Sequence, residues 1–228
     1  MEPSTPHALQ ILSTEHWSLL SARSLGYTEA MNRASMFIAA LSGAVVALAL
    51  VAQATDFGTG FHAFALVLLP VVWFLGLVTI VRLGQVNRED AIWVQGMNRI
   101  RNAYLEMAPE LEPYFVTSRY DDLAGVLTSS LAVTGLPRYQ GFISVPGVVA
   151  VLDAVVAGAI VGIAALASGA GTGLTISLGG VGFVVCLIGF GLFAAHEIAA
   201  AQRTFVVRFP SQNGQATADS PSSIFTSA

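Results

Sequence analysis

The sequence predicts an all-α polytopic membrane protein with four transmembrane helices in two hairpins. Of its 228 residues, 54% are hydrophobic and only 11% are charged, and the mean hydropathy is +0.70. Soluble domains carry about 25% charged residues, so this chain could not cover a water-facing surface without large exposed apolar patches. The same apolar composition excludes a disordered chain.

Four apolar segments are each long enough to cross a bilayer core of about 30 Å, which takes roughly 20 helical residues. They are residues 34–54, 61–81, 142–168 and 174–195. The third segment contains one carboxylate, Asp153, and the others carry no charge. Because the links 55–60 and 169–173 are short, we expect one hairpin at 34–81 and a second at 142–195.

The positions of the arginines predict the orientation of the spans. Segment 1–33 holds two of the ten arginines, segment 82–141 holds six and the tail 196–228 holds two, whereas the two short links hold none. Segments rich in arginine stay on the cytoplasmic side. We therefore expect a multi-pass plasma-membrane protein whose termini and central segment are cytoplasmic.

Stripes with heptad spacing extend both helices of the first hairpin beyond their apolar segments. The first stripe follows a helix start near Thr14 and contains Trp17, Leu20, Ser24, Tyr27, Met31, Ala34, Ile38 and Leu41. The second contains Leu83, Val86, Asp90, Trp93, Met97, Ile100, Tyr104 and Met107. Pro109 and Pro113 then end the helix. We expect an antiparallel coiled pair whose stripes bury each other or a second subunit.

Two shorter features complete the expected cytoplasmic part. Ser118 and Asp121 have the spacing of a capping box and predict a short helix after them. Its apolar face would cover the membrane surface or the coiled pair and contains Leu123, Val126, Leu127 and Leu131. The tail from about Ser211 is rich in small polar residues, which predicts disorder.

Asp153 is the first candidate functional residue, because an intramembrane carboxylate costs about 2.5–3.5 kcal/mol or more to insert. Trp73 and Ser42 offer hydrogen-bond donors at a compatible depth. One interpretation is a structural carboxyl that hydrogen-bonds between helices. The other is a site that carries protons or cations.

Small residues within the spans predict close approach of helices. Gly158 and Gly162 are four residues apart in the third span, and Gly43 lies between Ala39 and Ala47 in the first. Both packing within the chain and dimerisation fit this spacing.

The residue inventory leaves few enzyme classes open. The chain has no lysine and one cysteine, Cys186, which excludes a Walker A loop, a Schiff-base site and a cysteine-rich metal site. His196-Glu197 begins an HExxH zinc motif, but Ala200 stands where the second histidine belongs. The acidic pair Asp121-Asp122 fits a first helical turn. We expect no enzymatic activity, no cofactor, no metal and no nucleic-acid partner.

The layout of residues 13–108 is an N-terminal cytoplasmic helix, a hairpin and a long returning helix. It resembles the two-span membrane effector proteins of the SLATT type, which are associated with bacterial nucleotide-signalled defence. The second hairpin lies outside this resemblance. Arginine as the only basic residue type, with much Ala, Gly and Val, is typical of high-GC bacterial genomes, so a bacterial inner membrane is implied.

These observations predict a non-enzymatic integral membrane protein with a cytoplasmic helical platform for interaction or oligomerisation. The platform would use the stripe residues Trp17, Tyr27, Trp93, Met97, Ile100 and Tyr104. Its partners would be the lipid bilayer and either further copies of the chain or another protein. The alternative is an oligomeric channel that conducts ions or protons through Asp153.

The expected orientation can be tested by thiol labelling in intact cells. Thr59→Cys and Gly171→Cys should each react with an impermeant reagent, because both positions lie in links that face away from the cytoplasm. Ser118→Cys should stay unlabelled in the same cells, and its reaction would contradict the orientation. Replacing Cys186 by alanine in every variant removes the native thiol.

Overall fold

The computed structural model describes residues 5–131 and 144–211, and the regular structure in these ranges is entirely helical. The helices are α1 (Thr5–Thr55), α2 (Thr59–Met107), a 3-10 helix (Pro109–Tyr114), α3 (Leu123–Leu131), α4 (Val145–Ala167) and α5 (Thr172–Thr204).

The helices α1, α2, α4 and α5 are long and apolar enough to cross a membrane. This confirms the prediction of a helical chain with four long apolar helices. However, α1 begins at Thr5 rather than near Thr14, because Pro6 fits a first helical turn, where its missing N–H forfeits no bond. The expected start of the third span at Phe142 and the tail beyond Ser211 lie outside the described residues.

The chain divides into two compact units, and both α1 and α2 contribute to each of them. The apolar unit contains residues 28–86 and 144–197, and the polar unit contains residues 5–27, 87–131 and 198–211. The expected segment ends at residues 33 and 82 lie close to the two places where α1 and α2 pass from one unit to the other.

The core of the apolar unit is formed by α1, α2 and α4. Its largest buried members are Phe37, Leu69, Val72, Ile80, Leu83, Val149 and Val156. The link between α1 and α2 turns at Asp56 and Phe57, whose φ angles of 48° and 55° are unusual for residues other than glycine. At the start of α4, the Ser144 hydroxyl accepts a hydrogen bond from the Gly147 N–H at 3.2 Å, which is N-cap geometry.

An ion-pair triad joins α1 to α2 within the apolar unit. The Glu29 carboxylate accepts hydrogen bonds of 2.8 and 2.9 Å from Arg82 and of 2.9 Å from Arg33. These hydrogen bonds, that from Arg82 first, lower the pKa of Glu29 to about 2. The stabilisation from the triad is therefore present above the ordinary pKa of 4.5 and is lost as the pH falls towards 2.

The polar unit is organised around residues 87–107 of α2. Val94 and Met97 of α2 form a buried cluster with Val126 of α3, and Leu19 and Phe205 pack against this cluster. An ion pair also ties α1 to α2, because Arg23 Nε lies 2.6 Å from Asp90 Oδ1.

The helix α3 is capped by Asp122, and the capping box predicted from Ser118 and Asp121 is wrong. Asp122 Oδ1 accepts a hydrogen bond from the Gly125 N–H at 2.8 Å, whereas the Ser118 hydroxyl accepts one from the Tyr120 N–H at 3.1 Å. A Cβ at Gly125 would lie 2.0 Å from the Tyr120 carbonyl oxygen. Only glycine therefore fits at position 125, where the chain turns tightly into α3. The N–H of this same glycine donates to the capping residue Asp122.

Replacing Gly158 in α4 by alanine should destabilise the apolar unit. The added Cβ would lie 2.8 Å from the Gly179 carbonyl oxygen and 3.2 Å from the Phe183 Cβ. Neither atom can rotate away, so α4 and α5 must move apart, at a cost of about 1–3 kcal/mol.

Gly180→Ala is the matched control, since its Cβ would meet nothing within 4 Å. Alanine is favoured over glycine in a helix by up to about 1 kcal/mol, so this variant should unfold at the wild-type temperature or slightly above it. Thermal unfolding in detergent measures both variants. Identical melting temperatures would contradict the close packing of α4 on α5.

Candidate functional site

Asp153 lies in a closed apolar site within the apolar unit. Its side chain is 0% exposed and points at Gly76 of α2, where an added Cβ would lie 1.9 Å from Asp153 Oδ1. The same added Cβ would lie 2.9 Å from the Phe37 ring of α1. Three helices therefore enclose the carboxyl, and Gly76 leaves the space that it occupies.

The carboxyl of Asp153 has no hydrogen-bond partner among the described residues. Both of its oxygens are buried and unpaired, and so is the indole Nε1 of Trp73. Buried polar groups are nearly always hydrogen-bonded, because an unmade bond costs about 1–3 kcal/mol. The apolar unit thus carries a buried carboxyl to which no described side chain or backbone group donates.

Ser42 does not belong to this site, although its depth in the sequence suggested it. Its exposed hydroxyl donates to the Ile38 carbonyl oxygen at 2.8 Å, which is a local bond along α1. Cys186 of α5 is the neighbour that the sequence did not indicate, and its thiol interacts with both the Trp73 indole and the Asp153 carboxyl. The periodicity of α5 carried no signal for this contact.

The three glycines proposed for helix packing differ in their surroundings. Gly158 lies tightly against α5, and a Cβ at Gly162 would make ordinary contacts of 3.7 Å with the Thr175 carbonyl oxygen and 3.9 Å with Gly179. A Cβ at Gly43 would meet nothing within 4 Å. Of these three glycines, Gly158 lies at a close approach of α4 and α5, and Gly43 lies at none within the described residues.

The α2 stripe is largely buried in the polar unit. Met97 and Ile100 are 2% and 5% exposed, and Trp93 and Tyr104 are half-buried. The Tyr104 ring lies 6.4 Å from the ring of His16 on α1. Burial raises the pKa of Tyr104, and it also lowers the pKa of His16, with a smaller contribution from the charge of Arg101.

The part of the α1 stripe that lies in the polar unit is not buried against α2, contrary to the expectation for a pair of stripes that cover each other. Trp17 and Tyr27 are 65% and 66% exposed, and Leu20 between them is 40% exposed. We call these three residues the exposed stripe.

A neighbouring face of α1 packs on α2 instead. Leu19 lies 3.0 Å from the position of an added Cβ at Gly96, and Gly26 is buried further along the same face. Small residues let helix backbones approach closely, so the face with glycine packs and the aromatic face is left outside. The heptad pattern located the large apolar residues of α1 but not the face that packs.

A second buried face of α2 was not identified from the sequence. Gln95, Asn98 and Asn102 are 5%, 0% and 3% exposed. Gln95 Nε2 donates to the Asp121 carbonyl oxygen at 2.8 Å, and Asn98 Nδ2 donates to the Tyr120 carbonyl oxygen at 2.7 Å. The three amide side chains are three and four residues apart. This helical spacing could have predicted that they share one face of α2.

The described residues hold no group of three or more His, Cys, Asp or Glu side chains that could bind a metal ion. The side chain of His196 is 79% exposed beside Glu197. Asp121 and Asp122 both accept hydrogen bonds from the protein itself.

Comparison with known proteins adds no family to these observations. No protein-family model, curated protein or solved structure matches the chain.

Proposed function

We propose that the chain is a non-enzymatic integral membrane protein whose N-terminal helices form a cytoplasmic platform for self-association. The apolar side chains left on the outside of the apolar unit support insertion into a bilayer. Ile176, Val185 and Leu192 of α5 are 70%, 62% and 68% exposed. Water is a poor solvent for a surface of this kind, and lipid is the natural one.

The observation that carries the proposed platform is the exposed stripe on α1. Trp17, Leu20 and Tyr27 lie outside the apolar spans, where lipid would not cover them. Exposed aromatic residues at heptad spacing are typical of helix faces that pack into a partner helix. Because α2 packs on a different face of α1, this stripe is available while the chain is folded.

A second copy of the chain is the partner that the stripe fits. Two copies inserted in the same direction would place their α1 helices in parallel, so identical stripes would meet in an isologous contact. Like charges beside the exposed stripe would repel each other in such a dimer, but the neighbouring residues Ser21 and Thr28 are uncharged. The charge of Arg23 is balanced by Asp90 at 2.6 Å.

The double variant Trp17→Ala/Tyr27→Ala should lose self-association without losing the fold. Truncating aromatic anchors of an interface commonly costs 2 kcal/mol or more, so dimer affinity should fall by at least about 10-fold. Single-molecule photobleaching in lipid vesicles counts the copies per complex, and circular dichroism checks the fold.

Leu25→Ala is the matched control, because Leu25 is 72% exposed on α1 but lies off the stripe. Its copy number should equal that of the wild type. A wild-type protein that is monomeric in vesicles would contradict the platform, and so would equal copy numbers for the double variant and the control.

A second candidate function is proton conduction through Asp153, and the unpaired state of its buried carboxyl favours it. A metal cation needs several oxygen ligands, whereas a proton needs one basic oxygen. A lone intramembrane carboxylate in a chain of this class is a proton-carrier candidate by default.

Proton flux into vesicles reconstituted with the wild type, Asp153→Asn and Asp56→Asn separates the two functions. Asparagine cannot titrate, so flux through Asp153 should vanish in Asp153→Asn while the fold survives. Asp56→Asn is the control, since asparagine tolerates the φ of 48° in this link. No flux in the wild type would leave the carboxyl with a structural role, which is the outcome we expect.

A further inference from the structure

The segment that follows α5, residues 205–211, has no regular secondary structure, bends at Arg208 and Phe209, and packs on other residues of the polar unit. Phe205 packs on the cluster of Val94, Met97 and Val126. The Val206 carbonyl oxygen accepts a hydrogen bond of 3.4 Å from Gln95 Nε2 and another from the Arg99 guanidinium. The segment therefore begins with an aromatic anchor and a carbonyl held by two side chains of α2.

The middle of the segment is held by the carboxylate of Asp121, which is 0% exposed. It accepts hydrogen bonds from the N–H groups of Arg208 at 3.0 Å and Phe209 at 2.7 Å, and from Arg99 Nε at 2.8 Å. The Asp121 N–H donates in return to the Phe209 carbonyl oxygen at 3.1 Å. One side-chain bond and one backbone bond therefore join Asp121 to Phe209.

The end of the segment is held by Asp122. Its Oδ2 accepts hydrogen bonds from the N–H of Ser211 at 2.9 Å and from the Ser211 hydroxyl at 2.5 Å. Burial raises the pKa of Asp122, but hydrogen bonds from Ser211 and Gly125 outweigh burial and leave the pKa below its usual value. Pro210 lies between the two amide donors, so its missing N–H forfeits no contact.

Most of these contacts are made with backbone groups of the segment, and the side chains that take part in them are those at its two ends, Phe205 and Ser211. The side chains of Val206, Val207 and Arg208 are exposed, so they contribute little to recognition. Without the segment, Asp121 would keep Arg99 but lose the donors from Arg208 and Phe209. A carboxylate that a peptide covers is stable only where the peptide supplies donors, so Asp121 is suited to bind backbone N–H groups.

We propose that Asp121, Asp122, Gln95 and Arg99 form a binding site for a short bent peptide with an aromatic residue at its start and a serine at its end. Residues 205–211 fill this site in the folded chain, and the same segment on a second molecule binds there when the resident segment is weakened. This inference does not depend on the exposed stripe or on Asp153.

Hydrogen exchange in the full-length protein tests whether the resident segment is held as described. The amides of Arg208 and Phe209 in Asp121→Asn, and that of Ser211 in Asp122→Asn, should exchange at least about 10-fold faster, because an amide NH2 group would face N–H donors. Glu110→Gln, which changes an exposed carboxylate of the same unit, should leave their exchange unchanged. Unaltered exchange in both aspartate variants would overturn the proposal.

Binding from a second molecule is tested with a fluorescent synthetic peptide of residues 203–211. The receptor is the full-length chain carrying Phe205→Ala and Ser211→Ala, which weakens the resident segment and keeps all four site residues. Unfolding temperature and circular dichroism first establish that this receptor is folded. Fluorescence anisotropy then measures the affinity.

The control peptide is identical except for a methyl group on the Phe209 backbone nitrogen, which removes the donor to Asp121. The unmodified peptide should bind at least about 10-fold more tightly, a difference of about 1.4 kcal/mol. Equal affinities for the two peptides would overturn the proposed site. So would the absence of binding to the folded receptor at about 1 mM peptide, a concentration typical of a tethered segment.

Discussion

A carboxylate removed from water is stable only where donors surround it, and Asp121 collects its donors from two distant parts of the chain. Arg99 comes from α2, and the N–H groups of Arg208 and Phe209 come from the segment after α5. The order of the polar unit therefore depends on one buried charge that ties the middle of the sequence to residues more than 80 positions later.

Asp153 presents the opposite case. It is as deeply buried as Asp121, yet the described residues offer it no donor. A buried polar group without hydrogen bonds destabilises the fold, so such a group either fills space in its neutral form or takes part in a mechanism. This contrast distinguishes the two units. The buried carboxylates of the polar unit bind another part of the chain, whereas the buried carboxylate of the apolar unit accepts no hydrogen bond from the described residues.

Sequence patterns identified the long apolar helices and the buried Met97 and Ile100 of the α2 stripe, because both depend on composition and spacing that recur over many turns. They did not identify the packed face of α1, which depends on the small size of Gly26 and Gly96 rather than on the size of Trp17. The cap at Asp122 and the docking of residues 205–211 depend on contacts between distant residues. Periodicity contains no information about such contacts, so only the three-dimensional arrangement reveals them.

The fit between Gly76 and Asp153 predicts that these two positions covary. A methyl group at position 76 would overlap the carboxyl, whereas a smaller side chain at position 153 would leave a void beside the Phe37 ring. Alanine at position 76 and a smaller residue at position 153 could therefore be accepted together more easily than either change alone. Among related chains, an acidic residue at position 153 should be accompanied by glycine at position 76.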